Sequence, residues 1–341
     1  MKTRREGFSP LMLLIFVLVT LAVFILCIAV GSVRVPLAAI ISLPVRGLAA
    51  DNNVNSNILA VRLPRVICVA LTGAALSVCG GAMQGLLRNP LADGSTLGVS
   101  SGASLGAIIA IAFGIAIPGV PFAGTAIMAI LFAFISLLLI LTLAYRLDYS
   151  LSTNTIILVG VIYSMFVSSI IAFITTLAAD KVKQITFWTM GSLSGSGFSD
   201  ALALTIALAV CGGVIVSRAR ELNAFAVGED NARHIGVNVE RVKLVIMITV
   251  SALIGVCVSI GGTIGFVGLV TPHMIRMISG PNHKRLLPAC VFGGASFLML
   301  ADLAARIVLN PLELPIGVVT SFIGALLFIY IFYTSRRVGH A

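Results

Sequence analysis

Charge is what this 341-residue chain has least of: 10% of its residues are Asp, Glu, Lys or Arg, against about 25% in soluble domains. No stretch is polar enough to make a separate soluble domain, so one membrane domain, residues 1–341, is expected. The runs Leu97 to Ile117, Ile127 to Tyr145, Ile156 to Ala178 and Val318 to Tyr333 hold no acid, Lys, Arg or His at all. Other absences narrow the chemistry. None of the six cysteines has CxxC spacing, and all lie in or at the ends of apolar runs, which points to small buried hydrophobes rather than metal or disulfide sites. A GxxxxGK(S/T) phosphate loop is missing, so the chain carries no nucleotide chemistry of that kind on its own. No nucleophile–base pair or HExxH site sits within an apolar run, which argues against an intramembrane enzyme.

What is present is apolar helix. Mean hydropathy is +1.13, and a bilayer core roughly 30 Å thick needs about 20 apolar residues of helix to cross it. The length leaves room for about ten spans, an all-α polytopic membrane protein. The first runs from about Pro10 to Val30, too long for a secretory h-region and without a good small-residue cleavage site. The second starts near Arg65 and descends to Leu87, the third covers Leu97 to Ile115, and the fourth ends at Tyr145. The fifth continues to about Ala178, and Asp180 to Asp200 then forms an external segment with the single tryptophan, Trp188, at headgroup depth. The sixth is about Ala201 to Val216, and the seventh and eighth bracket Gly261-Gly262. The ninth runs from Leu287 to Ala305 and the tenth from Pro315 to Tyr333. Gly98, Gly102 and Gly106 form one face of the third span, and Gly73, Gly80, Gly81 and Gly85 punctuate the second. Such stripes let helix backbones approach closely in lipid.

A net charge of +10 would suggest nucleic acid in a soluble protein. Here the positive-inside rule explains it instead. With Lys2, Arg4 and Arg5 placed in the cytoplasm and sides alternating, fifteen of the 22 basic residues fall inside and seven outside. Both termini are then cytoplasmic.

The most polar cytoplasmic segment is 217–243. Asn223 can cap one short helix, Gly228 interrupts the pattern, and Glu229 to His234 form a second helix before Gly236 stops it. Two short helices joined by a glycine make a docking surface for another protein, with a plain solvated loop as the alternative. Outside, Arg62, Arg65 and Arg306 sit against the positive-inside bias. Snorkelling to headgroups, or pairing of Arg306 with Asp302 one turn away, would explain them without a partner. A lone His273 after Pro272 has no second ligand beside it and reads as hydrogen-bonded structure.

Five segments in order resemble the iron-chelate, haem and cobalamin (FecCD-type) permeases of binding-protein-dependent ABC importers. They are Arg62-Leu-Pro-Arg65; Gly80-Gly-Ala-Met-Gln-Gly85 with Asn89-Pro-Leu-Ala-Asp93 and Leu97-Gly-Val-Ser-Ser-Gly-Ala103; Gly228 to Val237; Gly265-Phe-Val-Gly-Leu-Val-Thr-Pro-His273; and Glu313-Leu-Pro-Ile-Gly317. Gly94-Ser95 departs from relatives that have proline after the Asp.

That resemblance implies a type II importer permease in a bacterial cell (inner) membrane, with two permease copies flanking a pathway. Two cytoplasmic ATPases would bring ATP and magnesium and dock on Asn223, Ala226, Gly228, Glu229, Ala232, Arg233, Gly236 and Val237. A periplasmic or lipoprotein substrate-binding protein would dock on Arg62, Arg65 and Arg306, whose planar forks suit carboxylates. Thr153 and Asn154 correspond to a cytoplasmic gate, although either could equally be the N-cap of the fifth span. Ser164, Ser168, Ser169 and Gly317 would line the pathway. The chain itself would bind no cofactor, metal or nucleic acid, and its only other contact would be membrane lipid. Ferric siderophore is the commonest cargo of such permeases, followed by haem and cobalamin. A gradient-driven secondary transporter is the competing class, but it usually keeps acids near the midplane, and the one acid well inside a span is Asp302, near its outer end.

Overall fold

The described residues fold as helices joined by short connections. The computed structural model describes residues 10–31, 35–36, 54–94, 98–117, 123–149 and 152–338. Lys2, Arg4, Arg5, Arg34, Arg46, Asp51, Ser95, Leu97, Leu151 and the Pro118–Pro121 turn lie outside them, as do the side chains of Arg336 and Arg337. In chain order the helices are α1 (Pro10–Ala29), α2 (Val54–Leu86), α3 (Val99–Phe113), α4 (Ala123–Leu147), α5 (Thr153–Leu177) and α6 (Val182–Thr189). They continue with α7 (Phe198–Ala207), α8 (Gly213–Ser217), α9 (Ala219–Phe225), α10 (Glu229–His234) and α11 (Val239–Gly261). The last are α12 (Val267–Ser279), α13 (His283–Ile307) and α14 (Ile316–Val338). A π-helical turn, Leu208–Gly212, joins α7 to α8 into one continuous rod.

Seven of these rods are long and apolar enough to cross a membrane, against ten expected. They are α1, α2, α4, α5, the α7–α8 rod, α11 and α13. The other three expected spans are occupied by α3, α12 and α14, and here local chemistry shortens the regular part. Gly114 in the left-handed region closes α3 after 15 residues. Phe266 (φ 67°) starts α12, and Gly280 ends it 13 residues later, about 20 Å of helix at 1.5 Å per residue. The apolar part of α14 whose side chains are described spans Ile316–Tyr330.

One expectation about the helices needed revision. Arg62-Leu-Pro-Arg65 reads as a helix boundary, yet α2 begins at Val54 and carries Pro64 in its interior. The turn holds because Arg62 donates to the Ile28 carbonyl and Arg65 to Asp302, so two buried guanidiniums tether it. The segment after Asp180 contains α6, whose Trp188 is half-buried and packs against the core.

Packing follows the glycines. The pairing of α2 with α13 is the most extensive in the molecule, and the two helices run antiparallel. A Cβ on Gly73 would lie 2.3 Å from the Gly294 carbonyl oxygen, and one on Gly294 would lie 2.2 Å from that of Gly73. Gly80 meets the Gly268 oxygen of α12 at 1.8 Å in the same sense. The stripe on α3 serves α4 likewise: Cβ atoms at Gly102 and Gly106 would strike Ser136 Oγ at 1.7 Å and the Met128 oxygen at 2.1 Å. In lipid, apolar side chains gain little by exchanging lipid contacts for contacts with another helix, so dispersion between touching backbones carries the association. Five cysteines are buried, and Cys211 half-buried, as free thiols.

Gly80→Ala is expected to cost about 1–3 kcal/mol, the scale of overpacking a filled contact. Gly213→Ala, where a Cβ meets nothing within 4 Å, should stay within about 0.5 kcal/mol of the parent. Thermal unfolding of both variants in detergent checks the contrast.

Candidate functional site

Functional side chains gather at the two ends of the α2–α13 pair. At one end the C-terminus of α1 meets the start of α2 and the end of α13. Arg306 lies with Nε 2.9 Å from Asp302 Oδ2, and its Nη2 donates to the Cys27 carbonyl at 3.1 Å. Arg65 donates from Nη2 to the other oxygen of Asp302 at 2.9 Å and from Nη1 to Glu313 Oε2 at 2.8 Å. Arg62 Nη1 donates to Ile28 at 2.8 Å. The terminal carbonyls of a helix lack intrahelical partners, so Arg62 and Arg306 both satisfy α1 and complement its dipole. Asp302 is 1% exposed and Arg306 4%, whereas the Glu313 side chain is 40% exposed.

The expected exposed forks are therefore not present in the isolated chain. Arg62, Arg65 and Arg306 are turned inward and bonded, and the Arg306–Asp302 pairing is the observed arrangement. The sequence reading placed Arg62 and Arg65 outside the membrane-spanning helix. A helix that continues through Pro64 rotates them onto its buried face instead.

At the other end, α9 and α10 lie across the bundle. Gly228 sits between them at φ 118° and ψ 150°, a region essentially restricted to glycine, and it lets the chain reverse. Gly236 at φ 89° ends α10, where Val237 N–H donates back to the Ala232 carbonyl at 3.0 Å. Ala232 is fully buried beneath the pair, and Val237 is half-buried. Ala226, Val227 (71%) and Ile235 (72%) form an exposed apolar tip, flanked by Asp230 and Arg233. Arg233 pairs with Glu240 at 2.5 Å.

Asn223 does not cap its own helix. It lies inside α9, and its Oδ1 accepts the His283 backbone N–H of α13 at 2.8 Å while its Nδ2 donates to Asn282 Oδ1 at 2.8 Å. His283 is buried against Gly85 of α2. Thus α9 is keyed into both members of the central helix pair. Separately, Gln84 ties α2 to α12, donating to the Leu269 carbonyl at 3.0 Å and accepting from Arg276 at 3.1 Å.

Glu229 opens α10 and holds Lys243 of α11 at 2.7 Å. Thr153 Oγ1 donates to the other Glu229 oxygen at 3.4 Å. A cleft of about 680 Å³ separates α5 from α10, bordered by Thr153, Asn154, Arg88, Gly228 and Glu229. The expected gate residues thus face the expected coupling residues across one space. The N-cap of α5 is neither Thr153 nor Asn154. It is Ser152, whose Oγ accepts from the Thr155 N–H.

The four residues expected along a pathway do not share one surface. Ser168 and Ser169 are exposed on α5, with hydroxyls donating one turn back to the Ser164 and Met165 carbonyls. Ser164 turns its buried hydroxyl inward. Gly317 is buried where α14 crosses two loops, since a Cβ there would lie 2.2 Å from the Met190 oxygen. His273 sits half-buried on α12. Among the described residues no group of three or more His, Cys, Asp or Glu could hold a metal ion.

Sequence reasoning missed Asn282, His283 and Lys243. Asn282, just past Gly280-Pro281 and ahead of an apolar run, carries a usable helix-start signal. Lys243 reads as an ordinary inside cation, and nothing local announces that it is fully buried.

Such a bundle, apolar on its flanks and polar at both ends, defines a multi-pass membrane protein. The chain belongs to the FecCD transport family, which residues 18–334 match. It is similar to the ABC transporter permease protein YvrB of Bacillus subtilis, 39% identical over 93% of this chain and 92% of that one. The cobalamin import permease BtuC of Halobacterium salinarum is 36% identical over 80% and 72%. The hemin transport permease HmuU of Yersinia pestis is 37% identical over 82% and 84%. A solved structure described as a metal-chelate type ABC transporter in an inward-facing conformation superposes with a TM-score of 0.84 at 28% identity, covering 96% of this chain and 100% of that one. The relatives are transport permease subunits, not enzymes.

Asp302→Asn strands Arg306 in a buried site, leaves Arg65 with Glu313 as its remaining acid, and should cost about 3–5 kcal/mol. Glu313→Gln, on the exposed rim of the same network, should cost about 1 kcal/mol or less. Unfolding of the two variants side by side in detergent separates these outcomes.

Proposed function

We propose that this chain is the membrane permease of an importer that passes an iron chelate, ferric siderophore first, from a substrate-binding protein to the cytoplasm. Haem and cobalamin are the alternatives, and relatives named for hemin and cobalamin are too evenly similar, at 37% and 36%, to choose between them. The α9–α10 pair carries this reading. It offers a compact apolar tip rimmed by charge, Val227 and Ile235 beside Asp230 and Arg233, at the end assigned to the cytoplasm by the charge count. A chain without a phosphate loop takes its power from outside, and two ATPases binding ATP and magnesium would supply it there.

Ten crossings in a bacterial cell (inner) membrane, both termini inside, and a second permease copy complete the proposed assembly. Shorter helices such as α12 would cross only together with their flanking loops. Such loops are tolerated at membrane depth when packed within protein. The pathway would run between the copies along α5 and α14, past Ser168 and Ser169, with Thr153 and Asn154 as its inner gate. Their walls are mostly apolar, and an importer gains by that, because a wall that bound its cargo tightly would hold it.

At the opposite end an acidic binding protein would dock over Arg62, Arg65 and Arg306. In this cluster, among the described residues, Asp302 pairs with both Arg65 and Arg306, and Glu313 pairs with Arg65. Glu313 is its exposed member, and a partner carboxylate would reach Arg65 by replacing it.

Gly228→Val should keep the protein in the membrane but strain the reversal by about 1–3 kcal/mol. Cargo moved per ATP hydrolysed is expected to fall about tenfold for each 1.4 kcal/mol expressed in the coupling step. Parental coupling in that variant, measured in proteoliposomes with the cognate ATPase and binding protein, would count against the α9–α10 assignment. Glu313→Gln should tighten binding-protein association, most visibly at low salt where surface charge is least screened. Affinity unchanged across salt would remove the docking role. Which ligand the purified binding protein retains identifies the cargo.

A further inference from the structure

We infer that Glu229 is a positioning residue that ties the ATPase-facing helix α10 directly to the gate. The inference rests on the coupling role proposed for α9–α10 and adds the route by which movement leaves that segment. Three observations converge on one carboxylate. Its Oε2 is held 2.7 Å from Lys243 Nζ, on a side chain with no exposed surface. A buried ammonium needs a counter-charge, because removing one partner leaves an uncompensated ion. The start of α10 is therefore pinned to α11, a helix of the bundle itself.

The other oxygen, Oε1, accepts from Thr153 Oγ1 at 3.4 Å. Thr153 is the first residue of α5. The two bonds differ in kind. One is short, ionic and buried; the other is long and neutral on the donor side, close to the limit of a useful hydrogen bond. A contact of the second kind can break and re-form as the start of α5 moves, while the first keeps α10 in register.

The surroundings allow that movement. The cleft of about 680 Å³ lies beside Thr153 and Asn154 on one side and Gly228 to Arg233 on the other, so the first turn of α5 has space to travel. Gly228 directly precedes Glu229 and supplies a swivel. The N-cap bonds of α5 are local: Asp148 Oδ2 accepts from Ser152 N–H and from Thr155 Oγ1, both at 3.2 Å. They would travel with the turn. The Thr153–Glu229 bond instead joins α5 to an element 76 residues away in sequence.

Asn154, exposed at this cleft, reports on the gate. N154C in a C211A background is labelled with a membrane-impermeant maleimide in inside-out vesicles holding the co-purified ATPase, with and without ADP–vanadate. In the reference chain the trapped ATPase should change the labelling rate about tenfold, as a shift between two gate populations would. Thr153→Ser keeps the hydroxyl and should preserve that response, and Thr153→Val should abolish it. Glu229→Ala is made together with Lys243→Met so that no buried charge is stranded, and this pair should abolish it as well. Adding Thr153→Val to the pair should cost nothing more, because the three side chains act as one connection. A response that survives in Thr153→Val or in the E229A/K243M pair overturns the link. No response in the reference chain, with ATPase bound, overturns the coupling role of α9–α10 itself.

Discussion

Close backbone contact between α2 and α13 is the constraint on which the rest of the molecule depends. Within a bilayer the helices cannot rely on hydrophobic exclusion, so side-chain-free crossings must bring their backbones together. Gly73 and Gly294 provide one, each standing where the other's carbonyl excludes any Cβ. Gly80 extends the seam to α12, and Gly85 leaves the space that His283 fills. Because the two helices run antiparallel, the seam sets both ends at once. It brings Arg65 to Asp302 at one end and Gly85 to His283 at the other.

Charge is then handled by pairing within the chain. Asp302 lies between two arginines, and Lys243 is matched by Glu229. Isolated ions at such depth would be prohibitive, so these residues are tolerable only with their partners in place. The two ends nonetheless differ in character. The arginine end is a tight lattice that closes the C-terminus of α1 and buries most of its polar atoms. At the α9–α10 end an open cleft of about 680 Å³ borders the polar contacts, and a glycine in a restricted region separates the two short helices. Low local packing of this sort is where movement is cheapest.

Much of this was legible in the residues. Apart from the start of α2, apolar runs located the bounded rods to within a few residues, glycine spacing on α3 and within α2 predicted the close faces, and Glu229 to His234 was read as a helix with its stops at Gly228 and Gly236. Other features could not be read. Arg62-Leu-Pro-Arg65 looks like a boundary because proline usually ends a helix, and only bonds to Ile28 and Asp302, distant in the chain, override that. Asn223 resembles a cap from its neighbours, yet the N–H group it satisfies belongs to His283, 60 residues on. Thr153 and Asn154 stand where a cap is expected, but Ser152 takes the role.

The chain's composition by itself determined that it is helical and membrane-embedded, because hydropathy is a sum over local residues. It also determined where polar segments interrupt the apolar ones. Which side chains face one another was decided by tertiary structure alone. An arginine can be an outward fork or an inward strut, and a glutamate a surface charge or a bridge to a buried lysine. The helix rotation that decides between them follows from backbone crossings far away in sequence.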